Sequence, residues 1–248
     1  LLIQVLSAPA MFKMELRKNT LPLFSLVHGT TPYIESAWRL QGDGNSLVNY
    51  LIHQIRSYGS EVITDKEVTR FNVKDGHIVS ATCSDGSIYE GNIFVSNAHP
   101  SVTCNMLEEK ALKPVFRKRI ATLPNTHGIF TLHLQMRHEA LRYFNHNKII
   151  LPTGNCWDCS IQDDKQVKGI MISARRPTKD QWVSNIDILT PMSWQCIAQY
   201  QVSTPLHRAQ EYIQLKQEIS NQCLNIAEIA ISGIKSMIKT QWSSTPLT

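Results

Sequence analysis

Three groups of residues have types and spacings that suit chemistry. Cys156-Trp157-Asp158-Cys159 has the spacing of a metal knuckle or a redox pair. A structural zinc needs four ligands, and no second Cys-x-x-Cys or His-x-x-x-His completes the set. A thioredoxin-like pair calls for a βαβ context, which is missing. The two cysteines are therefore expected to be an ordinary loop pair, and no metal site is expected. His127, His133 and His138 lie in or near a strand-like stretch. No carboxylate is visible at a spacing that would pair with them, so neither a metal role nor an acid–base role is expected. No Gly-x-Ser-x-Gly and no kinase loop occurs. The third group is Gly42-Asp43-Gly44. Its glycines permit backbone conformations closed to other residues and would let a flat ring approach closely. They equally suit a plain loop ahead of a helix. The catalytic residues stay unknown on this reading.

The elements that must position these groups are read from periodicity. Residues 1–27 read as helix with breaks, interrupted at Pro22, and Gly29 to Pro32 reads as a loop. Leu47, Val48, Leu51, Ile52 and Ile55 fall on one face of a helix over 46–58, with Ser46 as N-cap and Gly59 as the stop. A period of two then takes over. Residues 61–64, 67–73, 78–83, 88–90 and 92–95 are strand-like, with turns at Lys74-Asp75-Gly76-His77 and Ser84-Asp85-Gly86-Ser87. Two short helices are expected between Ser101 and Thr122, the second opening at Pro114. Strands of a second sheet are expected at 128–135, 148–151, 167–173 and 185–189. A long amphipathic helix follows at 206–229, continuing helically over 231–238 beyond a break near Gly233, and 238–242 is strand-like. Trp182, Trp194, Tyr200 and Tyr212 suit either the lining of an apolar tunnel or ordinary core.

Composition bounds the classes. The 248 residues allow one large domain or two modest ones, and 42% hydrophobic with 18% charged residues is ordinary for a globular protein. No apolar stretch reaches bilayer-spanning length. The net charge of +5 is scattered, and Arg117-Lys118-Arg119 and Arg175-Arg176 are short. There is no basic stripe with interleaved aromatics, so no nucleic-acid partner is expected, and 117–119 reads as a charged helix face. Six irregularly spaced cysteines suit reduced thiols in a cytoplasmic setting. The opening apolar run and the ending on Ser-Ser-Thr-Pro-Leu-Thr both suggest an interior piece of a longer protein.

The block Arg39 to Leu107 resembles the amine-oxidase-like and phytoene-desaturase-like flavoproteins. It carries, in order, Gly42-Asp43-Gly44, the helix ending at Gly59, Glu61-Val62-Ile63, Val68, Asp85-Gly86, and Val95-Ser96-Asn97-Ala98-His99-Pro100. Ile188-Leu189-Thr190-Pro191-Met192-Ser193-Trp194 resembles a strand-to-helix passage of the retinol saturase and carotenoid isomerase branch. The helix with Arg208, Glu211, Tyr212 and Lys216 and the ending Ser244-Thr245-Pro246-Leu247-Thr248 match the far end. The resemblance covers about residues 35–248. It implies an α+β fold: a mixed-sheet substrate domain over 108–240, with a helical segment of it at 1–38. Residues 39–107 would belong to the sheet flanking a Rossmann-like FAD domain, and 241–248 would return towards that domain.

The implied cofactor is FAD, and the implied cofactor-binding residues are Gly42, Gly44, Val68 (through its backbone) and Asn97. The implied chemistry is desaturation, saturation or isomerisation of a long lipophilic polyene, carotenoid- or retinoid-like, with surface contact to a membrane compatible with such a substrate. The family's Gly-x-Gly-x-x-Gly is absent from this sequence, as is the glycine pattern after Thr-Pro-Leu-Thr, and an acid stands between Gly42 and Gly44. This stretch alone is therefore expected to hold FAD weakly and to be inactive. An amine- or protoporphyrinogen-type flavin oxidase and a non-enzymatic module for apolar ligands remain the alternatives.

Overall fold

Helix starts, glycine stops and two-residue turns are local instructions, and the chain follows most of them. The computed structural model describes residues 2–12, 23–38, 40, 44–157, 159–177, 181–202 and 207–247. In chain order the elements are α1 (Leu2–Ser7), α2 (Leu23–Glu35), α3 (Gly44–Ser57), β1 (Val68–Lys74), β2 (His77–Cys83) and β3 (Ile88–Glu90). There follow α4 (Pro100–Asn105), α5 (Pro114–Thr122), β4 (Gly128–Met136), β5 (Lys148–Ile150), β6 (Ile170–Ala174) and β7 (Asn185–Met192). The chain ends with α6 (Gln210–Ala227), α7 (Ile234–Met237) and β8 (Ile238–Ser244). The fold is α+β. It divides into two compact units, residues 44–125 and residues 1–43 with 126–248.

In the unit 44–125, α3 opens at Gly44, so Ser46 lies inside its first turn and is not the N-cap. The stop at Gly59 holds. Gly59 has φ +76°, its N–H donates to the Arg56 carbonyl (3.0 Å), and the Ser60 N–H reaches back to Ile55 (3.2 Å). That paired bonding is the Schellman arrangement, which satisfies carbonyls left over at a helix end. β1, β2 and β3 form an antiparallel meander. Asp75 (φ 52°) and Gly76 (φ 80°) make the first turn; positive φ at both central residues matches the twist of the flanking strands. At the second turn Asp85 accepts from the Ser87 N–H (3.0 Å) and pairs with Lys66.

Two strand-like stretches of this unit form no strand. Residues 61–64 and 92–95 have no ladder among the described residues, and a β pattern without a partner strand has nothing to bond to. Ile93 and Val95 accordingly stand exposed. Arg117 is more than part of a solvated face. Its guanidinium donates to the carbonyls of Cys104 (2.7 Å), Leu107 (3.1 Å) and Glu108 (2.9 Å), tying α5 to the end of α4.

The other unit is built on a five-stranded sheet in the order β5-β6-β7-β4-β8. Every pairing between its strands is antiparallel. The mixed direction expected for this sheet is confined to one parallel bridge, Ile161 to Met192. Between β6 and β7 only ten residues intervene, too few for the crossover that a parallel pair needs. β6 starts three residues later than expected: the Val167 N–H is taken by the Gln222 side chain on α6 (2.9 Å) instead of a ladder partner. Gly29 to Pro32 is not a loop, since α2 runs through it. The Thr30 and Thr31 hydroxyls bond back to Leu26 (2.9 Å) and Val27 (2.7 Å), and the Ser36 N–H still reaches Pro32 (3.3 Å), so the helix continues past the proline for its last turn. Pro22 lies outside the described residues.

The core lies on one side of this sheet. Phe130, Leu132, Leu134 and Met136 of β4, with Ile186 and Ile188 of β7 and Ile170 and Ile172 of β6, meet Tyr212, Leu215, Ile219 and Cys223 of α6. The α6 residues recur every three or four positions, which is one helical stripe. A smaller core gathers Ala8, Ala10 and Met11 with Cys156 and Cys159.

Burial pushes the Cys223 thiol up to about 12 from an ordinary value of 9.0. A raised folded-state pKa means the contribution to stability is full below pH 9 and is lost as pH climbs through about 12. Cys223 is therefore expected to resist iodoacetamide at pH 8 in the folded protein and to react only on unfolding. Mass spectrometry of the labelled peptide checks this; rapid labelling of folded protein would place the thiol at the surface. No helix among the described residues is long and apolar enough to cross a membrane.

Candidate functional site

Alternation along β4 sends Thr131, His133 and Gln135 to the side of the sheet opposite the core. The register aligns them with neighbours. His133 stands opposite Asp187 of β7 and Trp242 of β8, while Thr131 stands opposite Leu189 of β7 and Ser244 of β8. Across β6 and β5 the second row continues through Met171 to Ile149, and the first continues to Ser173. The face thus carries a mainly apolar row, Ile149, Met171, Leu189, Thr131 and Ser244, beside a polar row, Ser173, Asp187, His133 and Trp242.

His133 is the hub of the polar row. Its Nδ1 lies 2.6 Å from Asp187 Oδ1 and its Nε2 lies 3.2 Å from Ser244 Oγ. Arg175 donates to Asp187 from Nε (3.0 Å) and from its terminal nitrogen (3.3 Å). The Trp242 indole stacks on the imidazole at 5.5 Å and 21°. Both side chains of the His133–Asp187 pair are 21% exposed. The Asp187 carboxylate accepts from Nδ1, and together with the Nε2–Ser244 hydroxyl bond this fixes the orientation of the ring. This corrects the expectation that His133 has no carboxylate partner. Asp187 is 54 residues away in sequence, and only the β4–β7 register brings it alongside. His127 and His138 do not join the group; His138 is exposed beside Glu139.

The cofactor-binding residues implied by the resemblance fall as follows. Gly42 and Asp43 lie outside the described residues. Gly44 opens α3, and a Cβ built there would meet nothing within 4 Å. Val68 starts β1 opposite Cys83. Cys83 directs its N–H to Ser87 (2.9 Å) and its carbonyl to Gly86 (3.0 Å), so the two form a non-hydrogen-bonded pair and the main-chain groups of Val68 point to the outer edge of the sheet, where the Phe71 N–H bonds to Met106 (2.9 Å). Asn97 is exposed in a loop. No hydrogen bond among the described residues links Gly44, Val68 and Asn97.

Cys156 and Cys159 are buried, and burial pushes the Cys156 thiol up, away from the thiolate that metals and disulfides need. Asp158 between them lies outside the described residues. Among the described residues no cluster could hold a metal ion. Of the four aromatics, Tyr212 is core and hydrogen-bonds Thr245 through its hydroxyl (2.8 Å), Tyr200 packs on it at 5.3 Å, Arg142 lies over Trp182, and Trp194 is exposed.

Over 99% of its length the chain superposes on an oxidoreductase from Methanosarcina mazei, with a TM-score of 0.59 and 13% sequence identity. The two share a fold. The match takes in 53% of that protein, so this chain spans about half its length. A Pyrococcus furiosus protein matches 80% of this chain and 42% of its own at 13% identity and a TM-score of 0.47, too slight a likeness to argue from. No protein-family model and no curated protein matches the sequence.

Proposed function

We propose that this chain supplies the ligand-holding sheet, and part of the cofactor-side meander, of an FAD-dependent oxidoreductase of the phytoene desaturase, carotenoid isomerase and retinol saturase group. The observation that carries the reading is the shared fold, along nearly the whole chain, with a Methanosarcina mazei protein described as an oxidoreductase. The ordered motifs from Gly42 to Asn97 support the same reading. So do two local features: the open space at Gly44, and the edge-facing main chain of Val68. These would accept a flat ring and main-chain hydrogen bonds respectively, and Asn97, exposed in its loop, would add a side-chain donor and acceptor. When bound, the flavin would supply hydride transfer at a carbon of the polyene, as cofactors carry the hard chemistry of such enzymes.

The chain's own part is to hold the apolar substrate and exclude water. The row Ile149, Met171, Leu189 and Thr131 offers a half-buried surface for that purpose. His133 has both ring nitrogens engaged and is assigned no proton transfer.

The test uses the protein expressed from its complete reading frame. It is expected to purify with visible flavin absorption, and Gly44→Val is expected to weaken FAD affinity about tenfold, equivalent to about 1.4 kcal/mol. The stretch 1–248 alone is expected to come through purification colourless. A full-length protein without flavin that still retains an apolar ligand would favour the binding-module alternative. Unchanged flavin content in Gly44→Val would remove Gly44 from the site.

A further inference from the structure

The outward side of β5 and β6 ends in a cleft of about 600 Å³, within the size range of small-molecule sites. Its floor is the cross-strand pair Ile149 and Met171, and Pro9 and the exposed indole of Trp38 wall it. The polar lining is one-sided. Arg176 and His146 face the cleft together with asparagines and a serine, and no carboxylate among the described residues lines it. The neighbouring Arg175 is held by Asp187, whereas Arg176 has no ion-pair partner among the described residues. A second cavity, of about 520 Å³, lies beside α6 and β8, but there Lys235, the cation among its described lining residues, is already bonded to Asn225 (2.6 Å).

An apolar floor with an unneutralised guanidinium at its rim suits a molecule that is long and apolar with an anionic end. Arg donates from a planar fork that matches a carboxylate, and an indole face packs well against an extended apolar chain. We propose that this cleft binds a long-chain carboxylate, with Arg176 and His146 on the carboxylate and Trp38, Ile149 and Met171 along the chain. The cleft shares Ile149 and Met171 with the apolar row assigned above to the substrate, but its test reads carboxylate binding and not flavin content, so either reading can fail without the other.

The test is a titration of the full chain with cis-parinaric acid, a fluorescent polyene carboxylate, alongside its methyl ester, with inorganic phosphate as a competing anion. The acid is expected to bind saturably with energy transfer from tryptophan, and the ester about tenfold more weakly. Arg176→Gln is expected to raise the Kd for the acid about tenfold while leaving the ester unchanged, and Arg176→Lys to fall between. Met171→Glu, which puts a carboxylate on the floor, is expected to abolish binding of the acid. Arg176 is exposed, so its substitution leaves the fold intact, and circular dichroism checks this. Equal affinities for acid and ester, wild-type affinity in Arg176→Gln, or the absence of saturable binding would each overturn the proposal. Displacement by millimolar phosphate would also overturn it, because a site for any anion does not need the chain.

Discussion

Phe130→Ala is expected to destabilise the five-stranded unit by about 3 to 5 kcal/mol, the usual cost of emptying a phenylalanine site in a packed core. Phe130 is fully buried, sits on β4 between β7 and β8, and faces α6 among the largest side chains of that core. Nothing beside it can collapse into the space, because β4 is held by ladders on both edges and cannot shift inwards. A domain's whole stability is about 5 to 15 kcal/mol, so the variant should be partly unfolded well below the wild-type midpoint. The measurement is unusually clean. All five tryptophans, Trp38, Trp157, Trp182, Trp194 and Trp242, belong to this unit and none to residues 44–125. Urea unfolding followed by tryptophan fluorescence therefore reports the sheet unit alone. Thr131→Ala, one residue on and outward-facing, is expected to cost less than about 1 kcal/mol. A loss below about 1 kcal/mol for Phe130→Ala would mean that β4 presents the other face to the core.

The second large effect is expected at Asp187. Removing its carboxylate in Asp187→Ala leaves His133 Nδ1 without its 2.6 Å acceptor and Arg175 without a partner. The cost is expected to be about 2 kcal/mol, nearly all from the half-buried imidazole, because Arg175 is more than half exposed and can turn to water. Asp187→Asn keeps an acceptor oxygen and is expected to lose about half as much. A double-mutant cycle with His133→Ala is expected to return a coupling of about 1 kcal/mol, since each single change removes the same contact. Additive effects would show that the pair does not interact in solution. The cycle also tests the β4–β7 register, because a one-residue slip would send His133 and Asp187 to opposite faces.

Much of the fold was legible because it is encoded by near neighbours. The α3 helix and its stop at Gly59, the Asp75-Gly76 turn, the proline opening of α5, and the stripe of α6 each depend on residues within a few positions of one another. Where local signals failed, a non-local bond had overridden them. Val167 gives its N–H to Gln222, 55 residues away, and so leaves the strand that its sequence suggests. Residues 92–95 have the alternation of a strand and no partner strand among the described residues.

The candidate site divides the same way. By itself the sequence determined the α3 helix and its glycine stop, the hairpins, an amphipathic helix covering a sheet, and the order of motifs on which the flavin reading rests, because each is a matter of residue type and short spacing. The tertiary structure alone decided that His133, Asp187 and Ser244 meet, that Arg176 and Trp38 share a cleft floored by Ile149 and Met171, and that Cys156 and Cys159 are buried core. Those meetings depend on which strands lie side by side and in what register. That outcome is set by how the whole apolar surface is buried, and no window of the sequence contains it.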